Sequence, residues 1–360
     1  MKKGKTLFAS KFCLVLALVG LLSLTTYVEQ AVAQTIKPMR LMVNGGPYPE
    51  TFPDSKLLSF FCKEIEQKTN GAISFRYAWS GSLTQPGEEL DALKGGLCDL
   101  GGIGYNYFPS KLYLNNLCRS APFVSTDIPA QTVIMDQLYR EVPVLNNEWE
   151  KHGAKLLLKS VTSSFELQSR MPLVKLEDFK GKKIAVAGVS AKKWFQSIGT
   201  VPVTVPISER ALELQTGMID GSVLPFSIAK PFGLHEYAKH ATFVGFGAWC
   251  AYGVVINKKL FDGFSNDIKQ VFLDAALKAE KQNVEMQKSA EETTIEAMKK
   301  AGVTFHTLPE TEKAKWMESM GNQPLEWIKE GEKMGLPAKE VMEKYISLIK
   351  QSGYKFPKEW

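Results

Sequence analysis

The sequence predicts a two-lobed α/β fold with a long helix that crosses both lobes. Three observations support this prediction. Short strand-like and helix-like segments alternate, the alternation restarts in the middle of the chain, and one uninterrupted helical segment of unusual length follows. Alternating strands and helices are typical of a largely parallel sheet with helices on both faces. Two such series joined to one long helix therefore predict two lobes.

The first lobe begins with a β-α-β-α-β series. The apolar and alternating patterns predict strands over residues 39–43, 73–79 and 97–102, and helices over 54–68 and 88–94. Glycine follows closely after each of the two helical segments, as is common at helix ends. This series accounts for one parallel sheet.

A second series starts after a connecting region. Strands are predicted over 155–158, 182–186 and 203–205, with helices over 190–198 and 209–217. The repeated rhythm predicts a second α/β lobe.

The long helix is predicted over residues 265–301, which contain neither proline nor glycine. It follows a strand-like segment at 249–257 and exceeds the usual length of helices in globular proteins. We therefore expect lobe I to comprise 34–158 and 246–288, and lobe II to comprise 159–245. The C-terminal helices in 289–360 are expected to pack mainly on lobe II.

Residues 1–33 have the three parts of a secretory signal peptide. Four lysines precede residue 12, an uncharged apolar run covers 12–24, and the small-residue site Ala31-Val32-Ala33 follows. The apolar run is too short to span a bilayer comfortably. We therefore expect export, with cleavage near Ala33.

The charge of the chain excludes one class of partner. The net charge is +6, and removal of the four lysines and the one glutamate of residues 1–33 leaves about +3. No dense run of Lys and Arg is interleaved with aromatic residues, so no nucleic-acid partner is expected.

Four cysteines follow the signal segment: Cys62, Cys98, Cys118 and Cys250. Export permits disulfides, but their apolar surroundings fit buried free thiols equally well. The sequence leaves both possibilities open, and it does not fix a pairing.

Searches for catalytic motifs favour a protein that is not an enzyme. The four histidines form no H-E-x-x-H motif, so neither a metal nor a cofactor is expected. Ser190–Lys193 matches S-x-x-K but lacks its companion motifs. Gly101–Gly104 follows a strand but lacks the spacing of a phosphate-binding loop.

Several segments resemble one family of receptors. Asp178–Ile184 is similar to D-L-K-G-x-K-I, and Glu209–Gly221 is similar to E-x-Y-x-A-L-Q-x-G-x-V-D-G. Leu93–Gly101, Ala121–Val124 and the turn at Thr69–Gly71 also match in order. These segments identify the chain as resembling the extracytoplasmic solute receptors of TRAP (tripartite ATP-independent periplasmic) transporters, the DctP-type family. The resemblance covers nearly all of the chain after residue 33.

The resemblance implies a periplasmic-binding-protein-like fold that closes by a hinge around a solute. It implies a periplasmic, monomeric protein that delivers a small organic acid to the membrane subunits of a transporter driven by an ion gradient. Two alternatives stay open: a solute sensor for a signalling partner, and an enzyme on the same scaffold.

The departures from the family pattern concern the anchor of the solute. The family has an arginine after D-L-K-G-x-K-I, where this chain has Ala185. A second family arginine corresponds to Phe165 or Glu166, and a family asparagine is replaced by Leu224. Arginine suits a carboxylate because its planar fork matches two oxygens. These replacements predict a pocket that is more apolar than is usual in the family.

An apolar pocket favours an aromatic or branched monocarboxylate over a short dicarboxylate. Five aromatic residues next to predicted strand ends are candidates to line it: Trp79, Tyr105, Phe165, Phe226 and Trp249. We expect about half of them to lie in the core, because aromatic side chains are commonly buried.

A carboxylate then needs another anchor. The turn at Gly188-Val189-Ser190 opens a predicted helix whose free N–H groups can hold an anion. Arg170, Ser163 and Ser164 are expected to assist. The alternative is an uncharged or cationic solute held by Glu166.

Overall fold

A computed structural model describes residues 36–360, so the predicted signal peptide lies outside the described residues. A five-stranded sheet in the order β2-β1-β3-β10-β4 forms one half of this region. Strands β1 to β3 are parallel, and β10 runs antiparallel to both β3 and β4. The bounds of these strands are Met39–Asn44 (β1), Ile73–Ala78 (β2), Leu100–Gly104 (β3), Ala154–Val161 (β4) and Cys250–Asn257 (β10).

A six-stranded sheet in the order β11-β9-β5-β8-β6-β7 forms the other half. Strands β5 to β9 come from one central stretch of the chain, and β11 comes from a later segment. Between β9 and β11 the chain returns to the first sheet and completes it with β10. The bounds are Phe165–Ser169 (β5), Lys183–Ala185 (β6), Val201–Val203 (β7), Gly221–Pro225 (β8), His240–Phe243 (β9) and Thr304–Thr307 (β11). The two sheets confirm the predicted two-lobed α/β fold.

Helices cover both sheets. They are Pro53–Lys68 (α1), Glu89–Lys94 (α2), Ile128–Glu141 (α3), Val144–Lys151 (α4), Val189–Gln196 (α5), Arg210–Thr216 (α6), Phe226–Ala229 (α7), Lys258–Asp262 (α8), Asn266–Lys300 (α9), Glu310–Ser319 (α10), Gln323–Lys333 (α11) and Ala338–Gln351 (α12). Short 3₁₀ segments include Tyr105–Tyr107 and Leu114–Ser120. Within residues 36–360, no helix is both long and apolar enough to cross a membrane.

Helix α9 has 35 residues, and the Ser265 hydroxyl accepts a hydrogen bond from the Ile268 N–H at its start. At 1.5 Å per residue it is about 50 Å long. It packs against α1 and β4 of the first lobe and against α7 of the second. The helix therefore contacts both lobes, as its length predicts.

The C-terminal helices divide between the lobes. In α10, the Trp316 ring packs against Phe179 and Phe195 of the second lobe. Helix α12 instead packs on α3 and on the 3₁₀ segment at 114–120, both in the stretch assigned to the first lobe. The expectation that 289–360 lies mainly on lobe II therefore does not describe α12. Its contacts depend on which distant apolar faces are left uncovered, and no local pattern shows this.

The four cysteines of residues 36–360 are all buried, and none is in a disulfide. Of the two possibilities that the sequence leaves open, the structure has free thiols. Burial raises the pKa of each thiol above its ordinary value. Protonated thiols in apolar surroundings behave as small apolar side chains.

Candidate ligand-binding cleft

The cleft lies where the start of β5 and the end of β8 face the crossing segment before β10. Phe165 pairs with Pro225 across β5 and β8. Trp249 directly precedes β10, and its ring stacks on Phe165 with 4.1 Å between the ring centroids. The structure thus brings together two of the five predicted aromatic residues. The stacked pair is largely covered by other residues, since Phe165 is 9% and Trp249 2% exposed.

Arg119 lies over this aromatic pair. Its guanidinium is 5.6 Å from the ring centroid of Phe165 and 5.6 Å from that of Trp249. It is half-buried, and among residues 36–360 it makes neither a side-chain hydrogen bond nor an ion pair. Burial lowers its pKa, while the nearby Tyr48 and Tyr107 phenols act in the opposite direction. The cleft therefore contains a cation without a counter-charge from the described residues.

Sequence analysis missed Arg119, although a signal was present. It is the only charged residue between Lys111 and Asp127. A single arginine in an otherwise uncharged stretch needs a reason, because unpaired buried charge is costly. The irregular 3₁₀ backbone of this stretch offered no periodic pattern that would show where the side chain points.

A cavity of about 260 Å³ adjoins Arg119. The first turn of α5 lines it from the second lobe, and Trp194 and Trp327 add aromatic surface. Gly188 is the N-cap of α5, with φ 87°, and no side chain caps this end of the helix. Free N–H groups at a helix start attract anions. The structure thus brings the predicted anion site, Gly188 with Ser190, to the same cavity as Arg119.

One detail of that anion site differs from the sequence analysis. The predicted helix begins at residue 190, whereas α5 begins at Val189, directly after its N-cap Gly188, so Ser190 is its second residue. Ser190 nonetheless lines the cavity.

Ala185 and Leu224, two positions that depart from the family pattern, share one apolar face with Phe226. Ala185, Leu224 and Phe226 are almost fully buried in one cluster of apolar side chains. Ala185 pairs with Ser222 across β6 and β8, and Leu224 pairs with Glu166 across β8 and β5. This face explains why no polar anchor is available from these three positions.

A second arginine enters this face from α6. Arg210 is 5% exposed, and it donates hydrogen bonds to the Val205 carbonyl (3.1 Å), the Ser222 hydroxyl (3.0 Å) and the Val223 carbonyl (3.1 Å). Among the described residues no carboxylate pairs with it. Burial lowers the pKa of Arg210 to about 10. Sequence analysis missed this residue because it occupies a variable position of the Glu209–Gly221 segment.

Glu166 is buried and already has partners within the protein. Its Oε2 accepts a hydrogen bond from the Gly245 N–H at 2.8 Å. Burial raises its pKa to about 7, while hydrogen bonds from Ser164 and from two backbone N–H groups oppose this rise. These contacts favour a role in holding the Gly245 turn, and they leave Glu166 poorly placed to bind a cationic solute.

The hydroxyls of the two predicted serines also accept hydrogen bonds from within the protein. Ser163 Oγ accepts a hydrogen bond from the Ser227 N–H at 3.2 Å, and Ser164 Oγ accepts one from the Gly247 N–H at 3.2 Å. Both bonds fasten the connection between β4 and β5 to neighbouring segments. Ser163 and Ser164 are therefore near the cleft but not free within it.

Three other predicted residues are not brought to this point. Trp79 stacks on Tyr77 within the first lobe. Tyr105 is fully buried and packs edge-on against Trp149. Arg170 is exposed just after the C-terminal end of β5, since β5 begins at the cleft with Phe165 and runs away from it.

Further aromatic residues close the cleft from the first lobe. Tyr48 stacks on Phe52 with 4.4 Å between their centroids. Phe52 in turn meets Phe232 of the second lobe edge-on at 6.2 Å. These three residues were not predicted from the sequence, because they lie outside the regular helices and strands, in a loop, at a helix cap and in a 3₁₀ turn. Their contacts show aromatic side chains bridging the two lobes.

Among residues 36–360, no group of three or more His, Cys, Asp or Glu side chains is arranged to hold a metal ion.

Comparison with known proteins gives one family. Residues 46–330 match the model of the DctP family, described as "Bacterial extracellular solute-binding protein, family 7". The chain is 27% identical over 316 residues to the C4-dicarboxylate-binding periplasmic protein DctP of Rhodobacter capsulatus, covering 84% of this chain and 90% of that protein.

Solved structures share the fold. A TRAP solute-binding protein of a marine metagenome, described as specific for aromatic acid ligands, has a TM-score of 0.76 at 21% identity, covering 87% of this chain and 99% of that one. A TRAP solute-binding protein of Rhodoferax ferrireducens, in complex with copurified benzoate, has a TM-score of 0.77 at 15% identity, covering 88% and 98%. Since the family model spans most of the chain, this protein belongs to family 7 of the bacterial extracellular solute-binding proteins, the DctP family of TRAP solute receptors.

Proposed function

We propose that this receptor binds an aromatic or branched monocarboxylate in the cleft between its lobes. The observation that carries the proposal is Arg119, which has no counter-charge among residues 36–360 and lies over the stacked rings of Phe165 and Trp249. No part of the chain that the structure describes accepts a hydrogen bond from this guanidinium. The carboxylate of a monoacid would bind the Arg119 guanidinium, while the apolar body of the same ligand would pack against the two rings.

The physical chemistry of the site favours an anion. A guanidinium binds a carboxylate through two parallel charge-assisted hydrogen bonds, which are stronger than bonds between neutral groups. The uncapped start of α5 at Gly188 adds favourable backbone dipoles on the same cavity. Aromatic rings on either side exclude water and strengthen these interactions.

The relatives support this ligand class in part. Two structurally similar receptors are described with metahydroxyphenylacetate and with benzoate, both aromatic monoacids. The Rhodobacter capsulatus relative is described as binding C4-dicarboxylates. We favour the monoacid because Ala185 and Leu224 stand where the family pattern has arginine and asparagine, and both are apolar and packed among apolar side chains.

As a TRAP receptor, the protein would act outside the cytoplasm as a monomer, without a cofactor and without catalysis. It would close around its solute and deliver it to the membrane subunits of the transporter. A signalling partner is the alternative recipient, and an adjacent gene for a sensor kinase would favour it. Adjacent genes for a small and a large multi-span membrane protein would favour the transporter.

The ligand class is tested by isothermal titration of the purified protein with benzoate, benzamide, isovalerate, isovaleramide and succinate. Charge-assisted hydrogen bonds contribute about 1.5–3 kcal/mol, so at least one acid should bind roughly tenfold or more tightly than its amide. Succinate should bind more weakly than that acid. Equal affinity for acids and amides, or tightest binding of succinate, would contradict the proposal.

Export is tested separately. When the full chain is expressed with its own leader in a Gram-negative host, the periplasmic product should begin at Gln34, since the small-residue site ends at Ala33. N-terminal sequencing or intact-mass measurement gives the answer. An uncleaved chain that stays with the membrane would refute the predicted signal peptide.

A further inference from the structure

One wall of the cavity beside Arg119 is formed by α11, and the proposed function assigns this wall no role. The residues of α11 and its C-cap that line the cavity lie at positions 323, 326, 327, 330 and 334. Side chains spaced by three or four residues share one face of an α-helix. Helix α11 therefore presents a single face to the cavity, and this face carries two carboxylates, those of Glu326 and Glu330.

Contacts with the first lobe hold α11 in this orientation. The Trp327 ring stacks on the Tyr113 ring with 5.0 Å between the centroids, and the Tyr113 hydroxyl donates a hydrogen bond to the Trp327 carbonyl at 2.6 Å. Gly331 allows this close approach, since a Cβ at residue 331 would lie 2.8 Å from the Tyr113 ring. These contacts fix the rotation of α11 about its axis, so both carboxylates stay on the cavity side.

Lys193 of α5 faces the same two carboxylates from the second lobe. Its Nζ atom is 3.3 Å from Glu330 Oε1 and 3.8 Å from Glu326 Oε2. The three side chains are each about half exposed, so these pairs contribute little to the stability of the fold. They do neutralise the Lys193 ammonium.

The charges that line the cavity are matched unevenly. Within the part of the chain that the structure describes, the charged residues of the lining are Arg119, Lys193, Glu326 and Glu330. Lys193 already has two carboxylate partners, whereas Arg119 has no counter-charge among residues 36–360. A first ligand carboxylate can therefore pair with Arg119. A second carboxylate on the same ligand meets an α11 wall with two negative charges for one ammonium, and like charges repel.

We infer that Glu326 and Glu330 make this receptor select monocarboxylates against dicarboxylates. They occupy Lys193, the other cation of the cavity, and they repel a second carboxylate on the ligand. Proteins commonly reject a competing ligand by placing a like charge where its extra charge would lie. This inference rests on the proposed function, since it needs a carboxylate held by Arg119 in the same cavity.

The first test compares acids that differ by one carboxylate. Affinities for benzoate and its three dicarboxylate relatives (phthalate, isophthalate and terephthalate), and for isovalerate and 3-methylglutarate, are measured by calorimetric competition. In Glu326→Gln/Glu330→Gln the preference for the monoacid should fall roughly fivefold or more, because the repulsion is removed and Lys193 is freed to pair with the second carboxylate.

The matched control for this test is Glu332→Gln/Glu340→Gln. It removes the same charge from two exposed positions that do not line the cavity, and it should leave the preference nearly unchanged. A preference that is unchanged in Glu326→Gln/Glu330→Gln, or that falls equally in the control, would overturn the inference.

The second test reverses the sign of the effect. Lys193→Gln leaves the two carboxylates of α11 without their ammonium, so the preference for the monoacid should rise. Lys192→Gln, on the same helix but outside the cavity lining, is its control. A purely structural role of these residues would not move the preference in opposite directions, and a fall in Lys193→Gln would contradict the inference.

The outcomes separate this inference from the proposed function. If the wild type prefers an acid to its amide but the preference for monoacids over dicarboxylates does not respond to the α11 variants, only the inference fails. If no acid binds in preference to its amide, the proposed function itself fails.

Discussion

At the scale of single residues, Glu166 is the cleft carboxyl whose ionisation is most opposed by burial. Its pKa is raised to about 7, against an ordinary value near 4.5. Between these values the folded protein holds a proton that the unfolded chain releases. Stability therefore falls as pH rises from about 4.5 to 7, and the loss is complete above pH 7.

We expect Glu166→Gln to be more stable than the wild type at pH 8, by about 2–3 kcal/mol, and to differ little at pH 4. The amide keeps an oxygen that can accept the Gly245 N–H, so the turn stays fastened. Urea unfolding at the two pH values measures the difference. A variant that is less stable at pH 8 would show that the ionised carboxylate stabilises the fold.

Residue types in the cleft were partly predictable from the sequence. The departures at Ala185 and Leu224 indicated an apolar face, and Phe165 and Trp249, both chosen because they lie beside strand ends, stack on each other in the structure. Arg119 and Arg210 were not found, because a side chain's direction from a 3₁₀ segment or from the first turn of a helix is set by tertiary packing. Arg170 was misjudged because the antiparallel direction of β5 carries it away from the cleft.

At the scale of elements, the attachment of α9 to β4 connects the long helix to the first lobe. Lys159 Nζ lies 2.8 Å from Glu280 Oε1 and 3.1 Å from Asp136 Oδ1. Burial alone would lower the pKa of Lys159, but the two carboxylates outweigh it and raise the pKa. The Glu280 carboxylate also accepts a hydrogen bond from the Lys159 backbone N–H at 2.8 Å.

Glu280→Gln should lower the free energy of unfolding by about 3 kcal/mol, because the buried ammonium of Lys159 then keeps only Asp136 as a counter-charge. Glu296→Gln, an exposed position on the same helix, should change it little. Denaturant unfolding of both variants at pH 7 provides the comparison. A cost for Glu280→Gln no larger than for Glu296→Gln would mean that this ion pair does not fasten α9.

Elements with a strong local signal were predicted closely. Helix α9 was expected at 265–301 and spans Asn266–Lys300, since a serine cap and an absence of Pro and Gly mark it in the sequence. The packing of α12 on the first lobe was not predictable in this way. Its amphipathic pattern shows that one face is buried, but not which surface receives that face.

At the scale of the whole molecule, binding of a solute between the two lobes requires that the lobes close in a ligand-dependent way. Phe52 and Phe232 meet between the lobes, and Arg119 has no counter-charge in the part of the chain that the structure describes. Without ligand the open form should dominate, and a ligand shifts the equilibrium only by its greater affinity for the closed form. Small-angle scattering should show a smaller radius of gyration on saturation with the tightest-binding acid. Tight binding without any change in dimensions would contradict hinge closure.

Whether Arg119 anchors the carboxylate is measured by the ratio of affinities for an acid and its amide. The ratio for benzoate over benzamide, or for isovalerate over isovaleramide, is measured by calorimetry in the wild type, Arg119→Met and the matched control Arg170→Met. The account predicts a preference of roughly tenfold to a hundredfold for the acid in the wild type and the control, and its collapse to near unity in Arg119→Met. An Arg119→Met protein that folds and still prefers the acid to the wild-type extent would contradict it.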